Sequence, residues 1–185
     1  MALRFVDLHT HSTASDGSVA PAELVRSAHA LNLEALALTD HDTLEGLGEA
    51  EQEARNIQAE HPDTPFEFIR GCELSSRCGA KEAHILGLWI DREEKKLLPL
   101  KEALQKIRQQ RLVRNTAILE KLLQLGINLS LEEVMAFAGD EVVARPHIAH
   151  ALLQKGVVKS VREAFEKYLG YRGKAYVPRE LMTPE

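Results

Sequence analysis

The chain has 185 residues, of which 44% are hydrophobic and 28% charged, as in an ordinary globular domain rather than a disordered chain. Its net charge of −5 excludes an overall basic surface, so an anionic ligand would require a local group of cations. Cys72 and Cys78 form neither a CxxC pair nor a disulfide framework, and we expect both to be buried thiols in a reducing compartment. The sequence shows neither a signal peptide nor a membrane-spanning apolar run, so it predicts a cytoplasmic protein.

The first ninety residues alternate between short apolar runs and helical patterns, which is typical of an α/β domain with a largely parallel sheet. Strands are predicted at four apolar runs, namely Arg4–Leu8, Leu33–Leu38, Phe66–Ile69 and Ala83–Ile90. One helix is predicted to begin at Pro21, because apolar residues follow it at three- and four-residue spacing. A second, more polar helix is predicted over Leu44–Ala59.

The pattern then becomes helical almost throughout. Ser130 and Ser160 each precede a glutamate by three residues, which is the capping-box signature of a helix start. Gly126 is typical of a helix end. We therefore predict three segments, which are an α/β part over 1–92, a helical insertion over 93–172 and a return to the α/β part over 173–185.

The most informative motif is His9-Thr10-His11. Alternate residues of an extended segment project to the same side, so the two imidazoles can bind one metal ion. An isolated pair of this kind is more often two surface histidines. Asp16, followed by Gly17, changes that balance, because a turn there returns a carboxylate toward the same edge of the sheet.

Three further candidate ligands lie near the other predicted strands. His41 directly follows the second strand, at the carboxyl end where α/β sheets bind ligands, and Asp40 or Asp42 could orient an imidazole. The structural alternative is a helix N-cap at Asp42 or Thr43. Glu73 follows the third strand and His84 opens the fourth, with a solvated glutamate and a hydrogen-bonded core histidine as alternatives. Imidazole and carboxylate together suit divalent transition metals, so the sequence predicts a multinuclear metal site.

The helical segment carries candidate anion-binding residues. Arg111 and Asn115 interrupt an apolar stripe, and they either pair with acidic partners or face an anionic substrate. Arg145 and His147 begin a helix pattern, where free N–H groups favour a phosphate. Lys174 follows a glycine on an extended stretch. The candidate substrate-binding residues are therefore Asn115, Arg145, Lys174, Arg111 and His147.

Four motifs together resemble the PHP (polymerase and histidinol phosphatase) family of metal-dependent phosphoesterases: DLHTHSTASDG at 7–17, LTDHDT at 38–43, GCELS at 71–75 and HILGL at 84–88. Three later motifs resemble a subgroup of 3′,5′-nucleoside bisphosphate phosphatases and 5′→3′ exoribonucleases: RQQRLVRN at 108–115, ARPHIA at 144–149 and GKAYVP at 173–178. The resemblance implies part of a distorted (β/α)₇ barrel with an inserted all-helical cap. It also implies no side-chain nucleophile, because a metal-activated hydroxide attacks phosphorus.

The resemblance further implies which residues bind each metal. His9, His11 and Glu73 would hold one ion, Glu73 and His84 a second, and Asp16 and His41 a third. Two later ligand blocks of the family, Ala-His-Pro and Ser-Asp-x-His, are not in this sequence. We therefore expect each metal to lack one protein ligand and the chain to be a fragment, a truncated form or a degenerate product.

The expected cofactors are two to three divalent metal ions, with manganese first and zinc or iron as alternatives. The expected partner is a 3′,5′-nucleoside bisphosphate or the 5′ end of a short RNA or DNA, without a membrane. A rival hypothesis is a truncated, non-catalytic module that binds nucleotide or metal. Hydrolysis of an amide or ester at the same kind of site is a third class, which the candidate cations argue against.

Overall fold

The computed structural model of the protein describes residues 5–79, 81–138, 143–181 and 183. Arg4 of the first predicted strand and part of the 173–185 segment therefore lie outside the described residues. The described chain forms two compact units, the first reaching Leu104 and the second comprising Gln105–Glu180. The domain boundaries expected from the sequence remain predictions. Within the described ranges, no helix combines the length and the apolar character that crossing a membrane requires.

The first unit is built on a four-stranded mixed sheet, which confirms the predicted α/β class. Its strands, in both chain and spatial order, are β1 (Val6–Thr10), β2 (Ala35–Leu38), β3 (Glu67–Cys78) and β4 (Lys81–Leu88). The pairs β1–β2 and β2–β3 are parallel, and β3–β4 is antiparallel. Two helices connect the parallel strands, namely α1 (Pro21–Ala30) and α2 (Leu47–Glu60).

Strand β3 is longer than the sequence predicts, because it changes its pairing partner halfway. Residues Glu67 to Arg70 pair with β2, and residues Gly71 to Cys78 pair with β4. Glu73 therefore lies inside a strand rather than after one, which corrects the sequence-based placement. The second half of β3 is rich in small and polar residues, so its strand character comes from the partner strand rather than from local propensity.

The core of the first unit packs α1 and α2 against β2. All four residues of β2 are buried, and Leu36 and Leu38 lie in one cluster with Val25 of α1 and Ala50 of α2. Burial of each large aliphatic side chain contributes about 1.5–3 kcal/mol. The strand that leads to His41 is therefore firmly held.

A buried ion pair fastens α2 to β3. Glu51, whose side chain is 9% exposed, lies 2.7 Å from Nη1 of Arg70 and also pairs with Arg92. Burial acts to raise the pKa of Glu51, but hydrogen bonds from Arg92 and Arg70 outweigh it and hold the pKa below its ordinary value of 4.5. Glu51 is thus ionised when the protein is folded at neutral pH.

We expect Glu51→Gln to lower the free energy of unfolding by about 3 kcal/mol, because the substitution leaves Arg70 without its buried counter-charge. The lowered pKa adds stability above about pH 4.5, and this contribution is lost as the pH falls through the folded pKa. Urea unfolding at pH 7 and pH 3.5 measures both effects. A difference between native and variant that stays constant across this range would contradict the assignment.

The second unit is helical. Its elements are the C-terminal part of α3 (Glu94–Gln124), α4 (Leu131–Ala138), α5 (Arg145–Gln154), α6 (Val161–Ala164) and a π-helical turn at Phe165–Leu169. Gly126 ends α3 with φ of 79°, as predicted. The predicted capping box before α4 is also present, since Glu133 N donates to Ser130 Oγ at 3.2 Å and Ser130 N donates to Glu133 Oε2 at 2.7 Å.

The two cysteines differ in environment. Cys72 is buried in β3, and burial raises the pKa of its thiol to about 12. Cys78, at the end of the same strand, is exposed, so the expectation that both are buried is wrong for Cys78. The hairpin explains the difference, because Cys78 lies next to the turn that begins at Gly79, whose φ is 60°.

We expect iodoacetamide at pH 8 to modify Cys78 in the folded chain and to leave Cys72 unmodified, because only a thiolate is an effective nucleophile. Mass spectrometry of the intact chain should show one added group, and Cys78→Ser should show none. Modification of both thiols should require a denaturant. Rapid labelling of Cys72 without denaturant would contradict its burial.

Candidate metal centre

Four imidazoles surround one carboxylate at the edge of the first unit's sheet. Nε2 of His9 and Nε2 of His11 lie 2.9 and 3.1 Å from Oε2 of Glu73. Nδ1 of His41 lies 3.4 Å from the same oxygen, and Nδ1 of His84 lies 2.8 Å from Oε1. The Glu73 side chain is only 4% exposed. The structure therefore brings together five of the six predicted ligands, with four histidines around Glu73.

The sixth predicted ligand, Asp16, lies on the outer side of this group. Its side chain is 67% exposed, with Oδ1 at 3.6 Å from Nδ1 of His11 and Oδ2 at 3.7 Å from Nε2 of His41. The His11 and His41 rings stack with centroids 4.6 Å apart. Asp16 thus lies close to both His11, which follows β1, and His41, which follows β2.

Strand register explains why these residues meet. Thr10 pairs with Leu38 in the parallel β1–β2 ladder, so the residues after both strands emerge at one edge. The backbones of His41 and Glu73 form an isolated parallel β-bridge, because β3 continues past the end of β2. On β4, His84 pairs with Ser75, which is two residues from Glu73 and therefore on the same face.

The donor set fits divalent cations. Three groups of side chains each offer ligand atoms within 4.8 Å of one another, namely His9/His11/Glu73, His11/Asp16/His41 and His41/Glu73/His84. The Nδ1 atoms of His11 and His41 are buried without a hydrogen-bond partner in the described part of the chain. Buried polar atoms without partners are costly, and a bound cation would satisfy them. The ligand roles of the six residues remain predictions.

The electrostatics favour a neutral imidazole at His41 beside an ionised carboxylate at Glu73. Burial lowers the pKa of His41, although Glu73 and Asp16 act in the opposite direction. Burial acts to raise the pKa of Glu73, but the hydrogen bond from His9 and the nearby His41 and His84 outweigh it, so the net shift is downward. Both forms are the ones that bind metal.

Asp40 and Asp42, on either side of His41, contact serines. Asp40 accepts hydrogen bonds from Ser12 and Ser15, and Asp42 accepts hydrogen bonds from Ser75. These contacts differ from the suggested orientation of an imidazole. Asp42 is also not the N-cap of α2, which begins at Leu47. These three serines were not among the residues predicted for the site, and their only signal in the sequence is that each lies within two residues of a candidate ligand.

Two of the predicted substrate-binding residues, Arg145 and Lys174, are cations of the second unit. Arg145 is the first residue of α5, with Nη1 donating to the Leu169 carbonyl at 3.4 Å and the guanidinium 5.8 Å from the centre of the Phe165 ring. Lys174 is exposed, and its backbone N–H donates to the Lys167 carbonyl at 3.0 Å. Both remain predicted substrate-binding residues.

Two other predicted substrate-binding residues have structural contacts. Asn115 is 4% exposed, and its Nδ2 donates to the Val143 carbonyl at 2.8 Å rather than to an acidic side chain. Nδ1 of His147 accepts the Ala144 N–H at 3.1 Å at the start of α5. Arg111 has a buried Nε on α3. We therefore rank Arg145 and Lys174 above these three.

The sequence is similar to that of a known family and of characterised proteins. A family model described as PHP domain matches residues 7–183. A 5′-3′ exoribonuclease from Haemophilus influenzae is 38% identical over 174 residues, which are 94% of this chain and 60% of that protein. A 3′,5′-nucleoside bisphosphate phosphatase from Chromobacterium violaceum is 35% identical over 181 residues, which are 97% of this chain and 60% of that protein.

The fold is similar to that of a solved structure. It is described as an amidohydrolase from Chromobacterium violaceum with bound sulfate and no metal, and it matches with a TM-score of 0.76 and 34% identity. The match covers 96% of this chain and 60% of that chain. The chain thus spans about 60% of the length of the relatives it matches.

Proposed function

The chain belongs to the PHP domain family, and from this premise we propose that it supplies the metal-binding part of a phosphoesterase that acts on phosphorylated nucleotides. The observation that carries the proposal is the group of four imidazoles around the buried carboxylate of Glu73. A cluster of this composition has little structural purpose without cations, because Nδ1 of His11 and Nδ1 of His41 are buried without a hydrogen-bond partner among the described residues.

The proposed cofactors are two to three divalent ions, with Mn²⁺ first and Zn²⁺ or Fe²⁺ as alternatives, since all three accept nitrogen and oxygen ligands. Such ions supply Lewis-acid stabilisation of phosphoryl oxygens and activation of water. His9, His11 and Glu73 would hold one ion, and His84 and Asp16 would contribute to the others. His41, adjacent to both Glu73 and Asp16, belongs to two of the three groups.

The proposed substrates are 3′,5′-nucleoside bisphosphates or 5′-phosphorylated ends of short nucleic acids. The names of the two relatives, a bisphosphate phosphatase and an exoribonuclease, support this class. Arg145 and Lys174 are the proposed phosphate-binding residues, because charge-assisted hydrogen bonds to phosphate are the strongest that a side chain offers. We also propose the cytoplasmic location expected from the sequence, which the two unpaired thiols support.

Metal titration and a phosphate-release assay test the proposal together. The metal-free 185-residue chain is titrated with Mn²⁺ by calorimetry, and phosphate release from a 3′,5′-nucleoside bisphosphate is then measured with and without Mn²⁺. Binding of two or three ions with Mn²⁺-dependent release supports the phosphoesterase. Binding of metal or nucleotide without release would instead support the non-catalytic module.

We expect Arg145→Ala to raise KM for a bisphosphate by about 10- to 100-fold with a smaller change in kcat, which corresponds to a lost hydrogen bond to a charged group. Steady-state kinetics on the active form measure this. Arg162→Ala is the matched control, because Arg162 is an 87% exposed arginine paired with Glu166 and should leave KM unchanged. Equal KM values in native and Arg145→Ala would remove Arg145 from the substrate site.

A further inference from the structure

Asp40 is the most deeply buried carboxylate beside the metal centre. The residue is 2% exposed and directly precedes His41. The described hydrogen bonds of its carboxylate all come from the loop after β1: Ser12 N and Ser12 Oγ donate at 2.7 Å each, and Ser15 Oγ donates at 2.6 Å. Burial of a carboxylate costs free energy unless hydrogen bonds replace its hydration. The three short hydrogen bonds to Asp40 meet this requirement.

The two serines are the neighbours of two predicted metal ligands. Ser12 follows His11, and Ser15 precedes Asp16. The same loop is closed by Ser15 N and Gly17 N, which donate to the Ser12 carbonyl at 3.0 and 2.9 Å. Asp40 therefore holds the segment that carries His11 and Asp16 near both of its ends. Because Asp40 directly precedes His41, the same hydrogen bonds fix this segment relative to His41.

Asp42 makes the corresponding connection to β3. Its carboxylate accepts Ser75 N at 2.8 Å and Ser75 Oγ at 2.9 Å, and Ser75 pairs with His84 across the β3–β4 ladder. Asp42 has φ of 53°, a left-handed conformation that costs free energy and persists only where the surrounding structure imposes it. Asp42 N donates to the Glu73 carbonyl at 2.9 Å, and Glu73 N donates to the Asp40 carbonyl at 3.2 Å.

We propose that Asp40 and Asp42 are positioning residues of the metal centre, which bind no metal themselves and hold the segments carrying His11, Asp16, Glu73 and His84 in register with His41. This inference rests on the proposed function, because the geometry they hold is that of a metal site. Misplacement of a ligand by a fraction of an ångström weakens metal binding, so partners of this kind typically contribute 10- to 100-fold in affinity.

Cobalt binding tests the proposal, because the visible absorption of Co²⁺ reports coordination geometry independently of catalysis. Asp40→Asn preserves the shape of the side chain and removes its charge. We expect it to weaken Co²⁺ binding by about 10- to 100-fold and to change the position or intensity of the absorption bands at saturating Co²⁺. Circular dichroism at the same temperature establishes that the variant is folded.

Two further variants separate positioning from general stability. Glu51→Gln loses a buried ion pair with Arg70, on the strand that carries Glu73, but removes no hydrogen bond of Asp40 or Asp42. It should be destabilised while its Co²⁺ spectrum stays native. Ser15→Ala removes the 2.6 Å bond to Asp40 and a longer 3.4 Å bond to Asp16 from a partly exposed residue, so it should fold even if Asp40→Asn does not. We expect Ser15→Ala to weaken Co²⁺ binding several-fold and to change the spectrum in the same direction as Asp40→Asn.

The outcomes are distinguishable. If the native chain binds no Co²⁺, the proposed function fails and this inference fails with it. If the native chain binds Co²⁺ and the folded Asp40→Asn and Ser15→Ala variants show native affinity and spectra, the positioning role alone is overturned. The same is true if Glu51→Gln changes the spectrum as much as they do, because the effect would then follow stability rather than geometry.

Discussion

Glu73→Gln is expected to reduce Mn²⁺ affinity by more than about 100-fold, beyond the usual effect of losing an outer partner of a metal ligand. Glu73 lies within 3.4 Å of four imidazoles and belongs to two of the three ligand groups. Gln has nearly the same shape but is neutral, and its NH₂ group cannot bind a cation. Calorimetric titration of the metal-free variant measures the affinity.

The control for this substitution lies on the same strand. Glu67 begins β3 and is exposed, so Glu67→Gln makes the same chemical change without approaching the histidines. We expect this variant to keep the native Mn²⁺ affinity and stoichiometry. A Glu73→Gln chain that bound Mn²⁺ as tightly as Glu67→Gln would show that Glu73 is not the shared ligand of the centre.

Gly17→Ala is expected to abolish strong Mn²⁺ binding and to lower the thermal midpoint of unfolding. A Cβ at this position would lie 2.3 Å from the carbonyl oxygen of His11 and 2.5 Å from its carbonyl carbon. Backbone atoms cannot yield as a flexible side chain does, so the loop that carries His11 and Asp16 must move. Steric insertion of this kind typically costs about 1–3 kcal/mol or more.

A second glycine provides the matched control. A Cβ at Gly48, in α2, would meet no atom within 4 Å. Alanine is favoured over glycine inside a helix by about 0.5–1 kcal/mol, so Gly48→Ala should raise stability and leave metal binding unchanged. Differential scanning calorimetry and Mn²⁺ titration of both variants test the pair. Native-like Mn²⁺ binding by Gly17→Ala would mean that the loop geometry is not required.

Much of the fold was predictable from local patterns. The runs before His9 and before His41 and the run after His84 have the apolar character of buried strands, and Pro21 is followed by a regular helical spacing. Gly126 and the capping box at Ser130 predicted a helix end and a helix start that the structure contains. Each of these signals depends on a few adjacent residues, which is the information that a sequence carries directly.

The full extent of β3 was not predictable in this way. The segment from Gly71 to Ser76 is too polar to read as a strand, and it is extended because β4 pairs with it. The substrate-binding role of Asn115 was likewise inferred from its place in an apolar stripe. The structure gives that amide a backbone partner, Val143, which is 28 residues away.

The sequence by itself determined the chemical inventory of this protein: the motifs of the PHP domain family, the imidazoles and carboxylates of the centre, and the candidate cations. Only the tertiary structure decided that Glu73 lies among four histidines and that Asp40 and Asp42 hold serines instead of imidazoles. The physical reason is that these hydrogen bonds join residues 28 and 33 positions apart. Such partners are set by strand register, which depends on the packed sheet as a whole.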